Sequence, residues 1–204
     1  LQTHYAENQK ELDWVAQLYP DAKNYLDVYA SRGLLKAKTI LAHAIHVSPE
    51  EEQLLLAEGV SISHCPSSNL FLGSGLCRCR DFIDRGMKLH LGTDIGAGTS
   101  FSQWQTMNEA YKVAQLRQER VTPTELFAMA TYHAAQALGF SKQGSLNPGS
   151  SADIQILDPR RRPILARHLD KAQTAEGKLA ALIHFADDRT LEKLYIQGRA
   201  IHSQ

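Results

Sequence analysis

The chain has 204 residues, with 22 Lys plus Arg, 22 Asp plus Glu and a formal net charge of zero. A balanced charge gives no electrostatic reason to expect nucleic acid or an anionic membrane surface as a partner, and favours a small uncharged ligand. No apolar run approaches the ~20 residues that span a bilayer, and no signal-peptide pattern occurs. We therefore expect a cytoplasmic protein without membrane contact.

Residues 1–137 alternate short β-prone runs with longer amphipathic stretches, which is typical of βα units. The β-prone runs cover residues 1–4, 39–44, 60–65 and 88–93. The helical period predicts helices at residues 8–19, 48–58, 76–85 and 105–118.

Local signals mark several helix ends. Ser48, followed by Pro49 and Glu51, is a typical helix start, and Gly59 and Gly86 are typical helix ends. A further helix is predicted to begin after Thr122 and to run toward Gly139.

After residue 140 the sequence changes character. Residues 144–151 are rich in turn formers, residues 152–158 alternate like a strand, and residues 194–201 form a strand with a turn. Residues 159–189 are polar and mixed, and we assign no structure to them. We therefore predict an α/β body over residues 1–140 and a small β element over residues 141–204.

Four polar side chains end the β-prone runs. His4 ends the first run, and Glu7 lies three residues further on. His43 and His64 lie at the ends of the second and third runs, and Asp94 directly follows the fourth. Active sites of βα barrels lie at the carboxyl ends of the strands. Imidazoles and a carboxylate that converge there suit a divalent metal such as zinc.

Two of these residues have an ordinary alternative. An acid at the position of Glu7 is favourable at a helix N-terminus whatever the function, although it could also shuttle protons. His64 is either a site residue or a packing histidine. The remaining histidines are expected to be structural or surface residues: His46, His90, His133, His168, His184 and His202.

The three cysteines are Cys65, Cys77 and Cys79. They are too few for a disulfide framework, and the one-residue spacing of Cys77 and Cys79 is shorter than in structural zinc knuckles. We predict reduced thiols without a special role.

Taken together, these motifs resemble the second half of an amidohydrolase-superfamily barrel. The segments that carry the resemblance are LQTHYAEN around His4, LAHA around His43, HCPSSN from His64 and GTDIG around Asp94. Residues 92–102 and 108–113 are most similar to those of guanine deaminases. The resemblance implies the second half of a (β/α)8 barrel with part of an appended β-sandwich.

The resemblance also implies roles. His4 and Asp94 would bind one zinc ion, Glu7 would shuttle protons and contact the substrate, and His43 would lie beside substrate and water. His4, Glu7, His43 and Asp94 would thus form the substrate-binding set, and Glu7, His43 and Asp94 the catalytic set. The implied reaction is hydrolytic deamination of guanine to xanthine and ammonia in purine catabolism, by an enzyme expected to be a homodimer.

One family feature does not occur in these residues. The family's first barrel strand supplies a His-x-His pair to the metal, and the sequence contains none. Because the chain also opens at Leu1, we expect it to be the C-terminal portion of a longer enzyme and inactive alone. The alternatives are an amidohydrolase for another amino- or chloro-heterocycle, or a non-catalytic half-barrel that acts as a binding module.

Overall fold

A computed structural model describes residues 1–203. Its larger sheet is parallel, with neighbouring strands in chain order. The strands are β1 (Gln2–Tyr5), β2 (Ile40–His43), β3 (Ser61–His64) and β4 (Lys88–Leu91). All four lie within the predicted β-prone runs or extend one residue beyond them, so these runs identified the strands correctly.

Helices follow the strands. In chain order they are α1 (Gln9–Leu18), α2 (Tyr25–Ala30), α3 (Pro49–Glu58), α4 (Pro66–Leu72), α5 (Cys79–Asp84), α6 (Gln103–Leu116), α7 (Pro123–Ala130) and α8 (Tyr132–Ala137). The predicted helix signals are confirmed where they are strongest. Ser48 and Glu51 form a reciprocal capping box at α3, and Gly59 ends α3 in the left-handed conformation.

Two short helices, α2 and α4, were not predicted. Six or seven residues are too few to show a helical period, and the Ser-Ser-Asn run of α4 favours turns in isolation. The first four residues of α4 are buried, so tertiary packing stabilises this helix. The helix predicted at residues 76–85 is shorter and begins only at Cys79.

The predicted helix after Thr122 is interrupted. Thr131 adopts φ −126° and ψ −85°, which separates α7 from α8. Its hydroxyl donates a hydrogen bond to the Phe127 carbonyl oxygen (2.7 Å). Threonine hydroxyls compete in this way with the backbone hydrogen bonds of a helix.

The later part of the chain contains a smaller antiparallel sheet. Its strands pair in chain order: β5 (Ile154–Leu157), β6 (Leu191–Ile196) and β7 (Arg199–Ser203). The unassigned residues 159–189 form α9 (Pro163–Lys171) and α10 (Ala175–Phe185), with a 3-10 turn on either side. Charged residues cluster at the two ends of this segment, whereas α10 itself is mostly apolar, so the overall composition was a poor guide to these helices.

A hydrophobic core lies between the parallel sheet and its helices. Leu41, Ile62 and Leu89 contribute from the strands, and Phe82 and Met107 from the helices. α10 packs against α6 and α7 and adds Ile183 to this core. Within the described residues, no helix has the length and apolar character needed to cross a membrane.

Candidate metal and catalytic site

The site is assembled from strand ends. His4 and His43 lie near the carboxyl ends of β1 and β2, and Asp94 follows β4. Each offers one ligand atom, and these atoms lie within 4.8 Å of one another. Parallel pairing explains this convergence, since it brings equivalent ends of successive strands to the same edge of the sheet.

The backbone at this edge is strained. His43, Ala44 and Asp94 have φ values of 73°, 49° and 48°. These values lie in the left-handed region, which residues other than glycine rarely adopt. Such conformations cost about 1–3 kcal/mol each and persist only where surrounding contacts hold them. The Ala44 amide donates to Tyr5 O (2.9 Å), and the Gly98 amide donates to Asp94 O (2.6 Å). Strain of this kind is concentrated at functional sites.

A buried amide orients His43. The imidazole Nδ1 donates a hydrogen bond to Oδ1 of Asn69 (2.8 Å), which leaves Nε2 as the atom that faces the site. Nε2 lies 3.9 Å from a carboxylate oxygen of Glu7 and 3.9 Å from one of Asp94. Among the described residues this buried nitrogen has no hydrogen-bond partner. A buried polar atom without a partner fits a site that receives an ion, water or substrate.

Glu7 is held in place by its neighbours. Its Oε1 accepts a hydrogen bond from the Ser74 hydroxyl (2.7 Å), and its amide donates to a carboxylate oxygen of Glu11 (2.7 Å). Asn8 caps α1 immediately after it. Glu7 therefore lies just before a helix N-terminus and also beside the candidate site, where its free Oε2 faces His43.

His4 is the exposed member of the group. Its ring stacks on that of His43 with centroids 5.4 Å apart and planes 6° apart. His4 and Glu7 line an open cavity of about 630 Å³, with Trp14 in its wall. The two imidazoles and the partly exposed carboxylate of Asp94 form a donor set that fits zinc, with one side open to a ligand.

Two residues of this site were not predicted as such. Asn69 belongs to the HCPSSN motif, which was quoted only for its resemblance, and Ser74 had no sequence signal. Both lie within residues 66–74, and both are nearly inaccessible to solvent. Their partners are 26 and 67 residues away along the chain, which explains why local patterns did not find them.

The other histidines make different contacts. His64 is completely buried and does not join the group at the strand ends. His46 contacts the Ser74 carbonyl oxygen (3.1 Å), and His184 contacts the Asn108 side chain (3.0 Å). Burial lowers the pKa of His90, which favours a neutral ring.

The three cysteines are buried free thiols. Burial raises the pKa of Cys65 to about 12. Cys77 and Cys79, however, lie together with His64 in a second group of potential ligand atoms, within 4.8 Å of one another. The sequence spacing alone did not indicate this group.

Parallel βα units with imidazole and carboxylate ligands at the strand ends are the architecture of metal-dependent amidohydrolases. Residues 1–201 match the model of the Amidohydrolase family, and the chain belongs to this family.

Sequence comparison relates it to guanine deaminases. The chain is 39% identical over 203 residues to guanine deaminase of Escherichia coli K12, covering 99% of this chain and 46% of that protein. It is 34% identical over 211 residues to guanine deaminase of Mus musculus, covering 98% of this chain and 46% of that protein. The chain thus spans about half the length of these relatives.

A solved structure shares the fold closely. The crystal structure of guanine deaminase from C. acetobutylicum, with bound guanine in its active site, superimposes with a TM-score of 0.90 at 30% identity. The match covers 98% of this chain and 48% of that one.

Proposed function

We propose that the chain is part of an enzyme that hydrolyses guanine to xanthine and ammonia in purine catabolism. The observation that carries the proposal is the convergence of His4, His43 and Asp94 beside the free carboxylate oxygen of Glu7. The bound guanine in the C. acetobutylicum relative supports guanine as the substrate.

The fold supports a matching architectural proposal. The four parallel strands with their helices are the second half of a (β/α)8 barrel over residues 1–140. Residues 141–204 contribute part of an accessory β-sandwich through β5, β6 and β7. α10 belongs to the second segment by sequence, although it packs on helices of the first.

We assign His4 and Asp94 as the ligands of one zinc ion. His43 lies close enough to the same point to assist, although its Nε2 is better used on the substrate side. Zinc bound there would supply a nucleophile at neutral pH, because it lowers the pKa of bound water to about 7. The exposed face of His4 leaves room for guanine to enter.

Each remaining step belongs to a side chain. Glu7 takes up one proton of the attacking water, whose oxygen adds to the amino-bearing carbon of guanine, and delivers that proton to the adjacent ring nitrogen. Asp94 accepts the second proton, from the hydroxyl of the tetrahedral intermediate, and Glu7 passes it on to the departing ammonia. His43, whose Nδ1 proton is given to Asn69, presents the lone pair of Nε2 and accepts a hydrogen bond from the attacking water and then from the hydroxyl of the tetrahedral intermediate. The sum is guanine plus water to xanthine plus ammonia.

The positioning contacts matter for this chemistry. Ser74 occupies Oε1 of Glu7 and so leaves Oε2 for proton transfer. Asn69 fixes the imidazole tautomer of His43, in the way that outer hydrogen bonds orient ligands and bases in metal sites.

The missing His-x-His pair limits what these residues do alone. Catalytic zinc sites use three protein ligands or more, whereas only His4 and Asp94 are assigned here. We expect the 204-residue chain by itself to hold no stoichiometric zinc at this site and to leave guanine unchanged. Zinc on nitrogen and oxygen ligands together with turnover in the isolated chain would refute this expectation.

The test of the proposed reaction uses the full-length protein that contains these residues. Purified protein is supplied with guanine, other amino-purines, amino-pyrimidines and chlorinated triazines, and product is followed by chromatography together with released ammonia or chloride. We expect xanthine and ammonia from guanine at the highest kcat/KM. Preference for another heterocycle would replace guanine as substrate, and guanine affinity without any turnover would support a binding module.

We further propose that the full-length enzyme is a cytoplasmic homodimer. The resemblance to guanine deaminases is the support for both points. Sedimentation velocity of the full-length protein and fractionation of its host cells measure them directly, and a monomer or a membrane-associated protein would contradict them.

A further inference from the structure

A second group of potential ligands lies inside the protein. His64 ends β3, Cys77 precedes α5 and Cys79 begins it. None of the three is more than 1% exposed. One imidazole nitrogen and the two sulfur atoms lie within 4.8 Å of one another.

This group is separate from the site at the strand ends. Side chains alternate between the two faces of a strand. Ser63 Oγ and Cys65 Sγ are 3.8 Å apart, so these two residues share one face and His64 lies on the other. Cys77 and Cys79 pack there with Ile62 and the helices of the hydrophobic core. The second group therefore lies between the sheet and its helix layer.

The imidazole of His64 lacks partners. Both of its ring nitrogens are buried, and neither has a hydrogen-bond partner among the described residues. Leaving a buried polar group without a hydrogen-bond partner is destabilising. The two sulfur atoms beside the ring are weak hydrogen-bond partners but strong metal ligands.

The three donor atoms suit a soft metal ion. The sulfur atoms of Cys77 and Cys79 lie beside the imidazole of His64. Soft metal ions bind deprotonated sulfur and displace its proton.

The segment that carries the cysteines is held by arginines. Arg78, which separates them, pairs with the buried carboxylate of Glu52 and donates to Val47 O (3.2 Å). Arg117 donates to Leu76 O (3.4 Å) just before Cys77. The two thiols are thus positioned by contacts that do not depend on an ion.

We propose that His64, Cys77 and Cys79 bind one thiophilic metal ion, monovalent copper or zinc, in a closed site that joins the end of β3 to the start of α5. Thiolate and imidazole ligands suit both ions. Three ligands complete the coordination of monovalent copper, whereas structural zinc almost always takes four. The site is independent of the reaction proposed above.

The ligand atoms are the decisive observation. Full-length protein is stripped of metal under reducing conditions and loaded, in separate samples, with one equivalent of Cu⁺ or Zn²⁺ without oxygen. X-ray absorption at the metal edge then measures the donor atoms. We expect two sulfur atoms, at ~2.3 Å in the case of zinc, and one nitrogen. The strand-end site, with its nitrogen and oxygen donors, gives no sulfur signal.

Matched variants assign the sulfur atoms. Cys77→Ser and Cys79→Ser should each lose one sulfur donor and weaken binding at least tenfold in competition with a chromophoric chelator. Cys65→Ser, which removes the buried thiol outside the group, should keep both sulfur donors. Circular dichroism verifies that each variant is folded, and the wild-type spectrum remains decisive if one is not.

The separate Cu⁺ and Zn²⁺ samples identify the ion. Sulfur-bound Cu⁺ alone identifies copper, and sulfur-bound Zn²⁺ identifies zinc. The proposal is overturned if neither ion shows sulfur donors in the wild-type protein, or if Cys65→Ser loses them. A Cys77–Cys79 disulfide that persists in the protein as isolated would also overturn it.

Discussion

The two histidine-containing groups both include residues at the carboxyl ends of the parallel strands, but they differ in their exposure to solvent. In the strand-end group, His4 is exposed, Asp94 is partly exposed and only His43 is buried. In the other group, His64, Cys77 and Cys79 are all buried. The first has an open side and hard oxygen or nitrogen donors, whereas the second is closed and contains sulfur.

This difference follows the division between catalytic and structural metal sites. Catalytic sites keep an open position for water or substrate, and structural sites are enclosed by protein ligands. In this chain the division depends on the direction of single side chains, because Ser63 and Cys65 share one face of β3 and His64 lies on the other. Our two proposals follow this division, with the open group assigned to catalysis and the closed group to a structural metal ion.

The largest effect should come from the open group. Glu7→Gln removes the proton acceptor but keeps the size of the side chain, so kcat for guanine in the full-length protein should fall about 10²- to 10⁴-fold. Glu50→Gln, at an exposed position in the first turn of α3, is the matched control and should leave kcat unchanged. Equal activity of the two variants would remove Glu7 from the mechanism.

The next effect concerns support of the closed group. Arg78→Ala leaves the buried carboxylate of Glu52 with Arg85 as its remaining partner. Removing one partner of a buried ion pair lowers the free energy of unfolding by about 3 kcal/mol at the low end of the observed range. We expect a value near this low end, because Arg85 still pairs with Glu52. Urea unfolding should show it as a lower midpoint.

The control for this variant is Arg160→Ala, whose exposed side chain pairs with Asp158. We expect no measurable change there, because exposed ion pairs contribute little. If both variants unfold at the wild-type urea concentration, the cysteine segment is not held by Arg78.

A smaller effect should come from Asn69, which positions His43 rather than reacting. Asn69→Ala removes the acceptor of the His43 Nδ1 proton, and loss of such outer hydrogen bonds typically costs about 10- to 100-fold in activity or metal affinity. Asn69→Asp keeps an acceptor oxygen and should recover most of kcat, with a shifted pH profile. Identical losses in both variants would indicate a packing role only.

The smallest effect tests a local signal. Ser48→Ala removes the cap of α3, the helix that carries Glu52, and should lower the free energy of unfolding by about 1 kcal/mol. Ser48→Asp, which keeps a capping acceptor, should retain nearly all of the stability. Thermal denaturation of the two variants under identical conditions makes the comparison, and equal midpoints would show that the cap is dispensable.

Much of the fold could be predicted from the sequence because its signals are local. The β-prone runs gave all four strands of the parallel sheet, and the caps at Ser48 and Thr122 marked two helix starts. The helices at residues 163–171 and 175–185 were not predicted, because their stability depends on packing against each other and, for the second, against α6 and α7. Both helices also carry local signals that were overlooked, since Pro163 begins the first with apolar residues at helical spacing and Thr174 caps the second.

The candidate site divides in the same way. By itself, the sequence determined that His4, His43 and Asp94 lie at or just after the ends of strands, since β-prone runs and their order along the chain are local properties. Only the tertiary structure decided that Asn69 orients His43 and that Ser74 binds Glu7, because these pairs form between elements distant along the chain.

The cysteines show the limit most clearly. The sequence determined their number and spacing, and spacing argued against a metal site. Only the tertiary structure brought the imidazole at the end of β3 to within 4.8 Å of the two sulfur atoms, which lie 13 and 15 residues further along the chain. Metal ligation depends on the positions of donor atoms in space, and spacing along the chain determines those positions only when one short segment supplies every ligand.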